Sequence, residues 1–241
     1  SEVKERVVHD VLAGNAVCAL GITEPSGGSD VANLKTRADY NSTDDCYVLN
    51  GEKTFITSGV QADYYSIAAR TGASGASGIS LFMVERDRPG FTRSKLDKMG
   101  WHCSDTATLH FEDCKIPASN LLGNVNKGFS CIMKNFNTER IFLCAQCVFF
   151  SKELIREATE WANIRITFDK KLIEHQVIRH KLVDMHTRTA MAEAYLNSVV
   201  SNYRLGIDCV ADITMLKNAT TDCFHCCADQ SVQILGRSTL H

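Results

Sequence analysis

Proline is scarce in this 241-residue chain. There are three, Pro25, Pro89 and Pro117, and none from Asn126 onward, which leaves the second half free to form long uninterrupted helices. A dominant charge sign is also missing. The formal net charge of −2 gives no electrostatic case for a nucleic-acid partner or an anionic membrane surface. No apolar run approaches the ~18–20 residues a spanning helix needs, and no secretory signal pattern opens the sequence, so a soluble protein is expected. GxGxxG is absent, as is a glycine-rich loop ending in Lys-Ser/Thr, which removes support for a Rossmann dinucleotide site or a P-loop. At 44 % apolar and 22 % charged residues the composition is that of a globular chain, not a disordered one.

Cysteine, by contrast, is abundant, with eleven residues. A disulfide framework belongs mainly to short secreted chains, and this chain is not short. The densest cluster, Cys223, His225, Cys226 and Cys227, lacks a second ligand pair at zinc spacing. Cys209, Ile213, Leu216, Thr220, Cys223 and Cys227 instead recur in steps of three and four, one face of a helix, where a thiol packs as a small hydrophobe. A reducing compartment follows. His175, His180 and His186 share no helix face, so no metal site is expected there.

The composition changes near residue 125. Before it lie nearly all the glycines and several short β-type runs: "YYSIAAR" (64–70), "ISLFMVE" (79–85) and "TATLHFED" (106–113). In the last, Ala107, Leu109 and Phe111 alternate with polar positions, as a half-buried strand requires. In "CYVLNGEKTFIT" the Asn50-Gly51 pair predicts a two-residue type I′ turn between strands 47–49 and 54–56. After residue 125 the period is helical. Ile178, Leu182, Met185, Thr189, Ala192, Leu196, Val199 and Tyr203 form an unbroken seam, and helices are predicted at about 127–162, 170–205 and 209–236. The fold class is therefore α+β, a β-barrel or sandwich unit followed by an antiparallel helical bundle. The expected domains are 1–16, 17–125 and 126–241. Residues 1–16 carry a partial apolar face with nothing left to pack on, and the bundle lacks a fourth long helix, so both ends are expected to be truncated.

The loop "GITEPSGGSD" (21–30) combines an extended Glu-Pro turn, two glycines that admit a ligand close to the backbone, and the hydroxyls of Thr23, Ser26 and Ser29. Alone it is a weak signal. It is followed, in order, by "LNGEKTFITSG", "MGWHCSDTATLHFEDCKIP", "NLLG", "NFNTERI", "RITFDKKLIEHQVIRHKLVDM" and "QILG". That succession resembles the acyl-CoA dehydrogenase family of flavoenzymes over nearly the whole chain.

The resemblance implies FAD as cofactor, an acyl-CoA thioester as substrate, and an electron-transfer flavoprotein as electron acceptor. A glutamate would take the α-proton while the β-hydrogen leaves as hydride to flavin N5. It implies that Ile22, Thr23 and Ser29 lie against the flavin, Ser29 also near the thioester. Phe55, Ile56 and Thr57 stand where the family has Trp-Ile-Thr, and an aromatic at 55 can still stack on the ring system. Arg165, Thr167 and Phe168 match the segment that reaches a partner subunit's FAD pyrophosphate, and His175, Gln176 and Gln233 match further cofactor contacts. Asn137, Thr138 and Arg140 match the acyl-CoA channel. Glu139 falls where isovaleryl-CoA and long-chain acyl-CoA dehydrogenases carry the base; in other members the base lies beyond the end of this sequence, and both readings stay open. A homodimer or homotetramer is implied, in the mitochondrial matrix of a eukaryote or the cytoplasm of a bacterium. Arg237 in place of a family glycine, and Asp169 in place of another, keep open a degenerate member without activity; an acyl-CoA oxidase is a further alternative.

Overall fold

The computed structural model describes residues 2–237, and the chain forms two compact units, Ser1–Met133 and Lys134–His241. The first is built on a mixed sheet. Its strands are β1 (Cys18–Gly21), β2 (Arg37–Asn41), β3 (Cys46–Thr57), β4 (Tyr64–Arg70), β5 (Ile79–Glu85), β6 (Phe91–Lys95), β7 (Thr106–Pro117) and β8 (Leu121–Leu122). They are ordered β6-β7-β3-β2-β4-β5-β8, with β1 alongside β4 in parallel. The β-branched and aromatic residues of β3, β4, β5 and β7 supply the core, in which Leu49, Tyr65, Ile67, Phe82, Leu109 and Ile116 are fully buried. Phe91 stacks on Phe111 at 4.9 Å and meets Tyr65 edge-on at 4.8 Å.

The predicted hairpin at Asn50-Gly51 is not there. The chain runs straight through these residues as part of β3, with a shift in register against β7 between Leu49 and Gly51. Asn50 spends its amide on Asp113, accepting from the Asp113 N–H at 2.8 Å and donating to its carboxylate at 3.2 Å. Gly51, at φ 142°, admits Thr36 so closely that a Cβ would lie 2.8 Å from the Thr36 Cα. The glycine serves a bulge and a close backbone approach rather than a turn.

Helix α1 (Glu2–Leu12) also departs from expectation, because it has something to pack on. Val7 is buried, Arg6 pairs with Glu85 at 2.9 Å, and the Tyr64 hydroxyl donates to Asp10 at 2.9 Å. These contacts fasten it to the ends of β4 and β5.

The second unit is helical: α2 (Gly128–Ile164, beginning in the first unit), α3 (Gln176–Arg204) and α4 (Val210–Leu235). Thr138 and Lys152 of α2 meet Tyr203 and Glu193 of α3, while Thr189 and Tyr195 of α3 meet Cys223, Cys227 and Asp212 of α4. The descending pairs make α3 antiparallel to both neighbours. The predicted seam is buried from Ile178 to Val199, with Tyr203 left at its open end, and all six positions of the predicted cysteine face are buried. Every cysteine is a free thiol.

The helix expected from residue 170 begins at Gln176 instead. A small hairpin, β9 (Ile166–Thr167) and β10 (Lys170–Lys171), occupies the intervening stretch. Its two-residue turn, Phe168-Asp169, has both φ angles positive, 51° and 59°, the signature of a type I′ turn made without glycine.

Candidate functional site

The loop 22–29 is held to β3 from below. Lys53, fully buried, donates to the Ile22 carbonyl at 3.1 Å and to the Glu24 carboxylate at 2.8 Å. Glu24, also buried, accepts from the backbone N–H groups of Lys35 at 2.6 Å and Thr36 at 2.9 Å. The Thr54 N–H donates to the Thr23 carbonyl at 2.9 Å, and Glu24 and Gly27 exchange backbone hydrogen bonds across the turn. Burial pulls the Lys53 ammonium down to about 8 against the raising effect of Glu24. Burial pushes the Glu24 carboxyl up, but the charge and hydrogen bond of Lys53, with the Lys35 N–H, outweigh it and hold it below the usual carboxylate range.

Just beyond Lys53, β3 bulges between Lys53 and Ile56. Thr54 turns inward to share a hydrogen bond with Thr108 at 3.1 Å, Ile56 is buried, and Phe55 between them is thrown outward, 69 % exposed at φ 59°. A left-handed backbone costs a non-glycine residue roughly 1–2 kcal/mol, and here it yields a bare aromatic face. Thr57 and Ser29 are exposed and Thr23 half-buried. The side chains of Ile22 and Ile56 point into the protein, so only their main chain can meet a ligand. The Lys53–Glu24 pair joins two charges 29 positions apart, and the one clue to it in the sequence is a lysine in a strand beside apolar neighbours.

In α2, Glu139 is exposed and accepts from the Asn135 amide at 2.6 Å. Arg140 turns back to Asn137 at 2.9 Å rather than to Glu139, and Thr138 shares a hydrogen bond with the Tyr203 hydroxyl at 2.8 Å. These residues share one stretch of helix, and Tyr203 joins them from α3.

A third arrangement lies at the far end of the bundle. Arg165, Thr167 and Arg237 line a concavity of about 420 Å³ with Trp161, Leu172 and Ile234. Its lining holds no carboxylate, and among the described residues neither guanidinium has an ion-pair partner. Asp169, at the hairpin tip, is not part of the lining. His175 is tied to the same hairpin, its Nε2 lying 3.0 Å from the Thr167 hydroxyl. Phe168 is 91 % exposed, and Gln176 and Gln233 are exposed outside the concavity. Two guanidinium groups, a hydroxyl and an indole suit a phosphate-bearing ligand. A second hollow of about 450 Å³ between α2 and α3 offers no such free charge: its Lys152 pairs with Glu193 at 2.5 Å and its Arg156 with Glu160 at 2.9 Å.

An outward aromatic with hydroxyls nearby in the first unit suits a flavin ring, and the two arginines of the second unit suit a pyrophosphate, so the residues of each unit fit a part of FAD. Among the described residues no helix is long and apolar enough to cross a membrane. Two family models match the sequence, "Acyl-CoA dehydrogenase, middle domain" over residues 19–114 and "Acyl-CoA dehydrogenase, C-terminal domain" over residues 126–241. The short-chain-specific acyl-CoA dehydrogenase of Megasphaera elsdenii is 36 % identical over 235 residues, covering 97 % of this chain and 61 % of that protein. The mitochondrial long-chain-specific acyl-CoA dehydrogenase of Rattus norvegicus is 34 % identical over 236 residues, covering 96 % and 54 %. The crystal structure of an acyl-CoA dehydrogenase from Geobacillus kaustophilus superposes with a TM-score of 0.96 at 34 % identity, covering all of this chain and 64 % of that one.

Proposed function

The chain belongs to the acyl-CoA dehydrogenase family, and from that premise we propose that it serves the FAD-dependent α,β-dehydrogenation of an acyl-CoA thioester. The observation that carries this reading is Phe55: an aromatic held in a left-handed bulge and 69 % exposed presents a flat face on which a planar ring can stack. Thr57 and the Thr23 hydroxyl flank it as polar contacts, and Arg165, Thr167 and Arg237 supply the cationic cradle for a pyrophosphate. FAD, when bound, supplies the hydride acceptor.

The remaining work falls to the chain. Glu139 is the base we assign to the α-proton. Asn135 engages its Oε1, leaving Oε2 without a partner among the described residues and available to accept a proton. Covering this carboxylate with apolar surface would strengthen it as a base. Asn137, Thr138 and Arg140 line the substrate path, and the Arg140–Asn137 and Thr138–Tyr203 hydrogen bonds fix its polar edge. A partner copy of the chain receives the Arg165 cradle, and an electron-transfer flavoprotein takes the electrons onward.

Because the chain spans 54–64 % of the length of these relatives, the first test asks whether it holds the cofactor. Purified chain is mixed with excess FAD, freed of unbound flavin and read by visible absorption. A retained flavin band supports the reading; a colourless protein overturns it for the chain as given.

A further inference from the structure

We propose that Lys53 and Glu24 are positioning residues, a buried ion pair whose task is to fix the conformation of loop 22–36 beneath the flavin-facing surface. The proposal deepens the functional reading above and rests on it for the identity of the ligand.

Lys53 is fully buried and Glu24 is 4 % exposed, and placing both charges away from water loses hydration that their attraction regains only when every remaining lone pair is satisfied. Here no polar atom of the pair is left without a partner, and the partners are informative. Nζ holds the Ile22 carbonyl, and the two carboxylate oxygens hold the N–H groups of Lys35 and Thr36. Thr36 in turn accepts at its carbonyl from the Arg70 N–H at 2.7 Å and donates its hydroxyl to the Glu52 carbonyl at 3.2 Å. The pair therefore ties both ends of one loop to β3, and Thr36 joins the second end to β4. An apolar pair of similar volume would fill the space but could hold none of these backbone groups. The residues thus fixed are neighbours of the candidate ligand contacts: Ile22 and Thr23 on the loop, and Phe55 two positions along from Lys53. Lys53 itself has no exposed surface, so it acts through the loop and not on a ligand.

The discriminating variant is the double replacement Lys53→Met with Glu24→Leu, which removes both charges and leaves no orphan. Lys53→Met alone, which strands a buried carboxylate, serves as the control for simple destabilisation. Global stability is followed by denaturant unfolding, loop order by amide hydrogen exchange of residues 22–36, and ligand positioning by FAD affinity. The double variant is expected to unfold within the stability range of the unaltered chain. Its loop amides should nonetheless exchange roughly tenfold or more faster, and its FAD affinity should fall roughly tenfold. Unaltered exchange in the double variant would overturn the positioning role, as would unaltered FAD affinity. If the unaltered chain binds no FAD, the functional reading fails by itself, and the exchange comparison still decides whether the pair fixes the loop.

Discussion

At the scale of single residues, the chain shows two different uses of charge. Glu139 is exposed and lightly held, whereas Lys53 is sealed against Glu24. For Glu139 the expected outcome is chemical: in a flavin-loaded protein, Glu139→Gln should keep the yellow absorption and lose its bleaching by acyl-CoA. Undiminished bleaching would move the base elsewhere. For Lys53 the expectation concerns pH. Its folded value of about 8 lies below its ordinary value, so the native state gives up this proton before the unfolded chain does. The unfolded state then binds more protons, and the contribution of Lys53 to stability rises between about pH 8 and the ordinary lysine range. Below pH 8 both states are protonated and the full cost of burial is present. Denaturant unfolding at pH 7.5, 9 and 10 should show this upward component in the unaltered chain and its loss in Lys53→Met; parallel pH profiles would contradict it.

At the scale of elements, the expected type I′ turn at Asn50-Gly51 is absent, and an unexpected one stands at Phe168-Asp169. Asn50-Gly51 has the preferred residues but lies inside a strand, because Asn50 bonds across to Asp113 and Thr36 needs the space at Gly51. Phe168-Asp169 has neither preferred residue and makes the turn, closed by the two pairings of β9 and β10. Gly51→Ala should therefore cost about 1–3 kcal/mol from overpacking alone, visible as a lower denaturation midpoint. Asp169→Gly should stabilise by about 1 kcal/mol by relieving the left-handed backbone, and an unchanged midpoint would show that this conformation costs Asp169 nothing net. Helix and strand identity were readable because apolar period is a direct record of which face is buried. The β4 and β5 strands lie on the β-type runs at 64–70 and 79–85, and the seam of α3 lies where the helical period put it. Bulges and short hairpins were not readable, since they depend on contacts with residues such as Thr36 and Asp113 that are distant in the sequence.

At the scale of the whole molecule, each unit has its own core, one in the sheet and one in the bundle. Met185 is fully buried at the centre of the bundle seam, and Met185→Ala should destabilise the second unit by about 2–5 kcal/mol. Hydrogen exchange should quicken across α3 and α4 while the amides of β4 and β5 keep their protection. Equal loss in both would mean the two cores fold as one. The order of motifs made the family legible; the grouping of Arg165 with Arg237, 72 positions later, needed the fold.

The free thiols divide along the same line. Cys46 and Cys114 are buried in the first unit and Cys144, Cys209, Cys223 and Cys227 in the second, while Cys103 and Cys131 are exposed. Burial lifts Cys114 to about 11 and raises Cys144, Cys209 and Cys227, so these sulfurs stay protonated and slow toward alkylating reagents until their surroundings open. The chain thus carries its own time-stamped label: the sequence position at which a blocked thiol first appears names the half of the molecule that came apart.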